Sequence, residues 1–211
     1  MSKIINYNNT LFFNSFNKIK NININNGVEI VLTGYSNSGK SSLINSITCK
    51  KKLARVSKKP GRTQLINFFN INKSFRLVDL PGYGYSNVST FKQNNMQKLI
   101  NDYFYFRKKI ITCIFLIIDV KNSIRYLDYN IVNFSKLENK KLIILLTKTD
   151  KFSKTNCKKK KNIIKKEISN IYSNIKIYET SCKNKKGISS IKNKLNEIYK
   201  NYNKHFITNK Y

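Results

Sequence analysis

The sequence predicts an α/β fold: a mostly parallel sheet of six strands, one of them antiparallel, with helices packed on both faces. Three observations predict it. From residue 110 onward, short apolar runs alternate with segments whose apolar residues recur at i, i+3, i+4 and i+7. Residues 28–33 form an apolar run with almost no polar alternation, as strands buried on both faces do. The polar clusters fall at the carboxyl ends of such runs, where open α/β sheets keep their ligand sites.

In chain order, residues 1–26 are Asn-rich with scattered Ile and Phe and make an N-terminal extension. Within it Leu11, Phe12, Phe13 and Phe16 can pack on the domain as a short strand or helix. The domain proper is expected over residues 27–203, with a tail at 204–211. Residues 28–33 are its first strand, and Leu43, Ile44 and Ile47 mark a helix that begins at Lys40. Residues 50–63 are a basic loop. Residues 64–71 and 74–80 read as strands separated only by Asn72 and Lys73, hence an antiparallel hairpin. Met96, Leu99, Ile100, Tyr103 and Phe104 share one helical face, and Arg107, Lys108 and Lys109 at its end suit the negative pole of the helix dipole. Strands at 110–118, 142–146 and 175–178 follow. Each is trailed by a helix, carried by Ile124 to Leu137, by Ile164, Ile168 and Ile171, and by Ile188 to Tyr202.

A chain of 211 residues can bury a core that needs no staples. Its 41 Lys and Arg against 10 Asp and Glu give a net charge of +31. One reading of that excess is a polyanionic partner, RNA above all, with no DNA sequence specificity expected. The other is A/T-rich coding, which raises Lys, Asn and Ile together. The composition leaves both open. The four cysteines, Cys49, Cys113, Cys157 and Cys182, are widely spaced without a C-x-x-C, which points to reduced thiols in a cytoplasmic protein. His205 is the single histidine, which argues against Ser–His or Cys–His catalysis. The longest apolar run, 110–118, is too short to cross a bilayer, so no membrane insertion is expected. A monomer is expected.

The stretch from Gly34 to Ser41 reads G-x-x-x-x-G-K-S, with Gly34, Gly39, Lys40 and Ser41 at the required offsets between a strand and a helix. Such a loop curls its amides around a phosphate, and the helix start adds its positive dipole end. Lys40 supplies a charge for the β- and γ-phosphates, and the Ser41 hydroxyl is a Mg²⁺ ligand. Asp79, at the end of a strand in Asp79-Leu80-Pro81-Gly82, can hold Mg²⁺ through a water, and the Gly82 amide can meet the γ-phosphate. Thr63 can complete the Mg²⁺ shell and make its loop a nucleotide-dependent switch. Thr147-Lys148-Thr149-Asp150 closes the 142–146 strand. Asp150 can accept from guanine N1–H and N2–H₂, donors that adenine lacks, while the Lys148 stem lies on the base. Thr180-Ser181-Cys182-Lys183 ends the last strand, where backbone amides can bind guanine O6.

In this order these motifs resemble those of the translation-factor-related (TRAFAC) P-loop GTPases. The segments KLARVSKKPGRTQLINFF, residues 52–69, and DLPGYGY, residues 79–85, narrow the resemblance to the EngB/YihA (YsxC) family of small bacterial GTPases. It covers residues 28–200. It implies a P-loop G domain that binds GTP and GDP with Mg²⁺, hydrolyses GTP, and acts on the large ribosomal subunit or its RNA during assembly, with a role in cell division and septation. The nucleotide contacts it implies are Gly34, Tyr35, Ser36, Asn37, Ser38, Gly39, Lys40 and Ser41; Gly61, Arg62, Thr63, Gln64 and Leu65; Asp79, Leu80, Pro81 and Gly82; Thr147 to Asp150; and Glu179, Thr180, Ser181 and Cys182. Lys40, Thr63 and Gly82 carry the catalytic roles. Ser38, Lys121 and Cys182 stand where relatives usually have other residues.

Many GTPases place a glutamine after D-x-x-G to orient the attacking water. Here that position is Tyr83, so slow intrinsic hydrolysis is expected, with a partner or a cation as stimulator. Asn37, inside the phosphate loop, is the candidate K⁺ ligand, and Arg62 is a second source of positive charge. The alternative is a basic RNA-binding module whose nucleotide site is degenerate and which has no part in ribosome assembly.

Overall fold

The computed structural model describes residues 5–56, 65–84, 89–173 and 175–208, the last four by backbone only. Seven strands form one sheet: β1 (Leu11–Phe16), β2 (Val28–Thr33), β3 (Ile66–Asn72), β4 (Phe75–Asp79), β5 (Ile111–Asp119), β6 (Lys141–Thr147) and β7 (Lys176–Glu179). Their spatial order is β1-β3-β4-β2-β5-β6-β7. Helices α1 (Lys40–Thr48), α2 (Thr90–Arg107), α3 (Tyr126–Leu137), α4 (Lys154–Ser169) and α5 (Ile188–Thr208) connect or follow the strands. Strand β3 alone runs against the others, antiparallel to both β4 and β1.

The sheet therefore has seven strands where six were expected. The seventh is β1, from the N-terminal segment. Its pairing partner lies some fifty residues downstream, as in Ser15 opposite Asn67, so local periodicity carries no trace of it. A bulge between Phe12 and Asn14 breaks its alternation, and Leu11, Phe12 and Phe13 remain exposed. What anchors it is Phe16, edge-on to Phe68 at 5.4 Å, and Phe12, edge-on to Phe69 at 5.8 Å. The preceding turn is tied down as well: the Tyr7 hydroxyl donates to Asn196 Oδ1 at 2.8 Å, and Lys50 Nζ to the Thr10 carbonyl at 2.7 Å.

Strands β2, β5 and β6 are buried on both faces, which is why they read as continuous apolar runs. Alternate residues serve two cores. Val28, Ile30 and Leu32 face Leu43, Ile44 and Ile47 of α1 and Ile191, Leu195 and Ile198 of α5. Val31, Ile114, Leu116 and Ile144 face Leu99 and Ile100 of α2, Ile131 and Val132 of α3, and Ile164 and Ile168 of α4. Full burial of each such side chain contributes about 1.5–3 kcal/mol.

One polar residue interrupts β2. Glu29 is fully buried and pairs with Arg107 at the end of α2; Arg107 Nε donates to Glu29 Oε2 at 3.1 Å and the Tyr103 hydroxyl donates to the same oxygen at 2.7 Å. Arg107 thus leaves the solvated dipole-balancing role expected for it. Its side chain turns inward because an unpaired Glu29 in the core would cost far more than the helix end gains from an exposed cation.

Candidate functional site

The loop between β2 and α1 is shaped by three residues with positive φ: Gly34 at 146°, Asn37 at 59° and Gly39 at 103°. A Cβ on Gly34 would lie 2.3 Å from the Ile117 carbonyl oxygen, so the loop can cross the end of β5 only with glycine there. Asn tolerates the left-handed conformation better than most side chains, which accounts for Asn37 on backbone grounds. The first amides of α1, from Lys40, have no intrahelical acceptor. Two other loop amides are committed: Ser36 N donates to Tyr83 O at 2.9 Å and Ser38 N to Tyr35 O at 3.2 Å.

Beneath the loop lie the buried groups. Lys40 Nζ donates to the carbonyls of Gly34 (2.8 Å) and Tyr35 (3.0 Å). Burial lowers its pKa to about 8, against the raising effect of Asp79. Ser41 Oγ donates to Asp79 Oδ2 at 2.9 Å. Asp79 Oδ1 is buried without a hydrogen-bond partner among the described residues. Burial raises the Asp79 pKa to about 6, with Lys40 and Ser41 pulling the other way. A hydroxyl and a carboxylate with one unsatisfied buried oxygen make a hard-oxygen donor set, which fits Mg²⁺.

Leu80 and Pro81 are buried, and Leu80 N donates to Leu32 O at 3.1 Å, which fixes the exit of β4. Gly82 then lies on the loop: a Cβ there would fall 2.8 Å from Ser36 Cα and 2.9 Å from Lys40 Nζ. Tyr83 pairs with Tyr35 as an isolated parallel bridge, and their rings meet edge-on at 4.7 Å. The Tyr83 hydroxyl donates to Asp128 Oδ1 at 2.7 Å, and Asp128 Oδ2 accepts from Arg125 N at 3.1 Å at the start of α3. The Arg125 guanidinium covers the Tyr35 ring. Burial, then the Asp128 charge, raise the Tyr83 phenol well above its usual pKa, so it is a fixed neutral donor.

At the other end, Thr147 Oγ1 donates to Ser38 O at 2.6 Å and seats the β6 end on the phosphate loop. Lys148, itself left-handed at φ 58°, donates to Asn37 O (2.7 Å) and pairs with Asp119 Oδ2 (2.8 Å). Its ammonium is thereby pinned and its stem held across the cleft. Asp150 is exposed and accepts from Ser181 Oγ at 2.5 Å; that bond, foremost, lowers its pKa, and the group is ionised at neutral pH. Thr149 N and Oγ1 both donate to Thr180 O, joining the loops that follow β6 and β7. Ser181 Oγ also accepts from the amides of Lys183 and Asn184, and Ser181 N donates to Lys186 O. The amides of Ser181, Lys183, Asn184 and Lys186 are thus committed within the turn. Glu179 pairs with Lys186 at 2.7 Å and Thr180 Oγ1 donates to Leu146 O at 3.0 Å, so both side chains shape the loop.

The structure thus brings the Gly34–Ser41, Asp79–Gly82, Thr147–Asp150 and Glu179–Cys182 segments to one end of the sheet. Leu65 is exposed just before β3. Gly61, Arg62, Thr63 and Gln64 lie outside the described residues. Sequence reasoning missed Asp119, which holds Lys148, and the Tyr35–Tyr83–Asp128–Arg125 cluster. Only an aromatic at the position of the usual glutamine hinted at the latter. All four cysteines are free thiols. Among the described residues no helix is long and apolar enough to cross a membrane.

Comparison with known proteins places these residues in context. A family model described as a 50S ribosome-binding GTPase matches residues 29–148. A protein of Buchnera aphidicola (subsp. Acyrthosiphon pisum, strain Tuc7), described as a probable GTP-binding protein EngB, is 42% identical over 206 residues, 98% of either chain. A protein of Haemophilus influenzae (strain PittEE) with the same description is 35% identical over 196 residues, 92% of this chain and 95% of that one. Among solved structures, one titled a probable GTP-binding protein engB superposes with a TM-score of 0.67 at 24% identity, covering 82% of this chain and all of that one. An Era structure with MgGDPNP and nucleotides of 16S ribosomal RNA gives 0.61 at 23% identity, over 81% and 56% of the two chains. The match runs over nearly the whole chain, and on that ground the chain belongs to the EngB family of P-loop GTP-binding proteins.

Proposed function

We propose that the chain is a slow, Mg²⁺-dependent GTPase whose nucleotide state switches its association with the large ribosomal subunit during assembly. The observation that carries the nucleotide half is the buried pair Lys40 and Asp79 with the half-buried Ser41 under a left-handed loop, with an ionised Asp150 across the cleft. Lys40 binds the β- and γ-phosphates through its ammonium. Ser41 and Thr63 directly, and Asp79 through a water, would hold Mg²⁺, which when bound neutralises charge on the phosphate oxygens. Gly82 offers its amide to the γ-phosphate. Asp150 accepts from the guanine N1–H and N2–H₂, Lys148 lies along the base, and the Cys182 amide meets O6.

Hydrolysis is slow because Tyr83 does not present a water-orienting group to the γ-phosphate. Its hydroxyl is engaged by Asp128. A charge supplied from elsewhere fills the gap, either from a partner or from K⁺ held at the exposed Asn37, where a fixed positive charge is worth roughly 10³–10⁵ in rate. Faster turnover in KCl than in NaCl is the expected result; equal rates remove K⁺ from the scheme.

The ribosomal half is supported by the description of the matched family model and by the +31 charge. A cytoplasmic monomer acting there, with a tie to division and septation, is the family's implication. Nucleotide-stripped protein titrated with GDP in magnesium buffer tests the first half, and no uptake of guanosine phosphates would sink it. Co-sedimentation with large ribosomal subunits under GTP and GDP tests the second, which fails if neither nucleotide supports binding.

A further inference from the structure

The net charge is not spread evenly over the helices. Helix α4 carries seven lysines, at 154, 158, 159, 160, 161, 165 and 166, against one acid, Glu167. Helix α2 has Lys92, Lys98 and Arg107 against Asp102, with Arg107 buried. Helix α5 has four lysines against Glu197 over a longer span. None of the ion pairs among the described residues involves a lysine of α4, whereas Lys108, Lys141, Lys148, Lys186 and Lys194 are all paired.

This arrangement works against the helix. The first turn has no acid and begins with Lys154, so cations crowd the positive pole of the dipole. Lys154 and Lys158, and Lys161 and Lys165, are like-charge pairs one turn apart. Coding bias raises lysine everywhere; it does not gather unpaired lysines where they oppose the local electrostatics.

The patch also has shape. Helix α4 buries only Cys157, Ile164 and Ile168, so its outer face is free along about 24 Å. Lys160 Nζ donates to Ser123 Oγ at 2.9 Å, which joins the helix to the loop that carries Lys121. On the opposite flank a depression of about 300 Å³ is lined by Lys161 and Lys165, the edge strand residues Lys176 and Ile177, and the half-buried Tyr178. The Lys161 and Lys165 ammonium groups at that depression continue the cationic row of the outer face, which suits successive phosphates of a nucleic-acid backbone. One apolar side chain of α4, Ile163, is among the large exposed hydrophobics, too little to enter a bilayer.

We propose that α4 and the adjoining β7 edge are the docking surface for an RNA phosphate backbone. The proposal rests on the reading of the chain as an RNA-associated GTPase, and names the face that meets the RNA. The test is anisotropy with a fluorescent RNA hairpin across a salt series. It compares wild type, K158Q/K159Q/K161Q/K165Q, and a charge-matched control, K92Q/K98Q/K136Q/K200Q. The α4 variant should bind at least about tenfold more weakly at moderate salt. Its log–log salt slope should become shallower by about one for each phosphate that is no longer neutralised, and the control should shift little. GDP binding should be unchanged in both, and the α4 variant should melt higher than wild type. Equal weakening of both variants overturns the α4 assignment while leaving the RNA partner standing. A wild type that binds no RNA overturns both. Retained RNA binding with lost capture by anionic phosphatidylglycerol vesicles would assign the helix to a lipid surface instead.

Discussion

At the phosphate end of the cleft, Lys40 and Asp79 are buried and pulled away from their ordinary pKa values in opposite directions, to about 8 and about 6. At the base end, Asp150 is exposed and its acidity is strengthened by a hydroxyl. The first pair is costly to hold ionised, and in the proposed site phosphate and cation would relieve that cost. The second costs little and is already set for its ligand. On the proposed reading, affinity is concentrated where the protein alone is least comfortable, and selectivity where it is most relaxed.

Four substitutions would break or sharpen that contrast. The largest effect is expected for Lys40→Ala, which removes the proposed buried partner of the phosphates: GDP affinity by calorimetry should fall by about 10²-fold or more. A loss of only a few-fold would mean that the loop amides alone supply the grip. Asp150→Asn should follow, weakening guanine nucleotides by roughly 10–100-fold and turning preference toward xanthosine phosphates, whose carbonyl accepts from the new amide. A mutant that still prefers GDP would remove Asp150 from base recognition.

The third concerns stability of the nucleotide-free protein. Asp79 has a folded pKa raised above its unfolded value, so the folded state binds the extra proton between about pH 4 and 6 and loses stability as pH rises through that window. Urea unfolding should show wild type losing about 1–2 kcal/mol relative to Asp79→Asn between pH 5 and pH 7.5. Lys40 has the opposite signature: its penalty is present below pH 8 and fades above it. Parallel pH profiles for the two proteins would show that Asp79 carries no burial strain. The smallest effect is for Ser181→Ala, which frees Asp150 without removing it and should weaken GDP by only about three- to tenfold. An effect as large as that of Asp150→Asn would mean that Ser181 contacts the base itself.

Much of the scaffold was legible because β2, β5 and β6 are apolar on both faces and α1, α3 and α5 keep helical spacing. The phosphate loop was legible because its function dictates glycine at Gly34 and Gly39. The rest is non-local. The place of β1 depends on Phe68 and Phe69, far along the chain. The inward turn of Arg107 depends on Glu29, which local reading leaves as a lone acid in an apolar strand. Asp119 became part of the base-side cleft only when β5 was laid beside β6, and Asp128 gained meaning only once Tyr83 was seen to reach it.

That last contact has a mechanical consequence. The segment leaving β4 is moored at Ser36 on one flank and, through Tyr83, at the opening turn of α3 on the other. Displacing Gly82 therefore strains the tether to Asp128, whose second oxygen caps that turn. A shift of that segment is in this way passed on to the start of a helix that lies outside the loop itself.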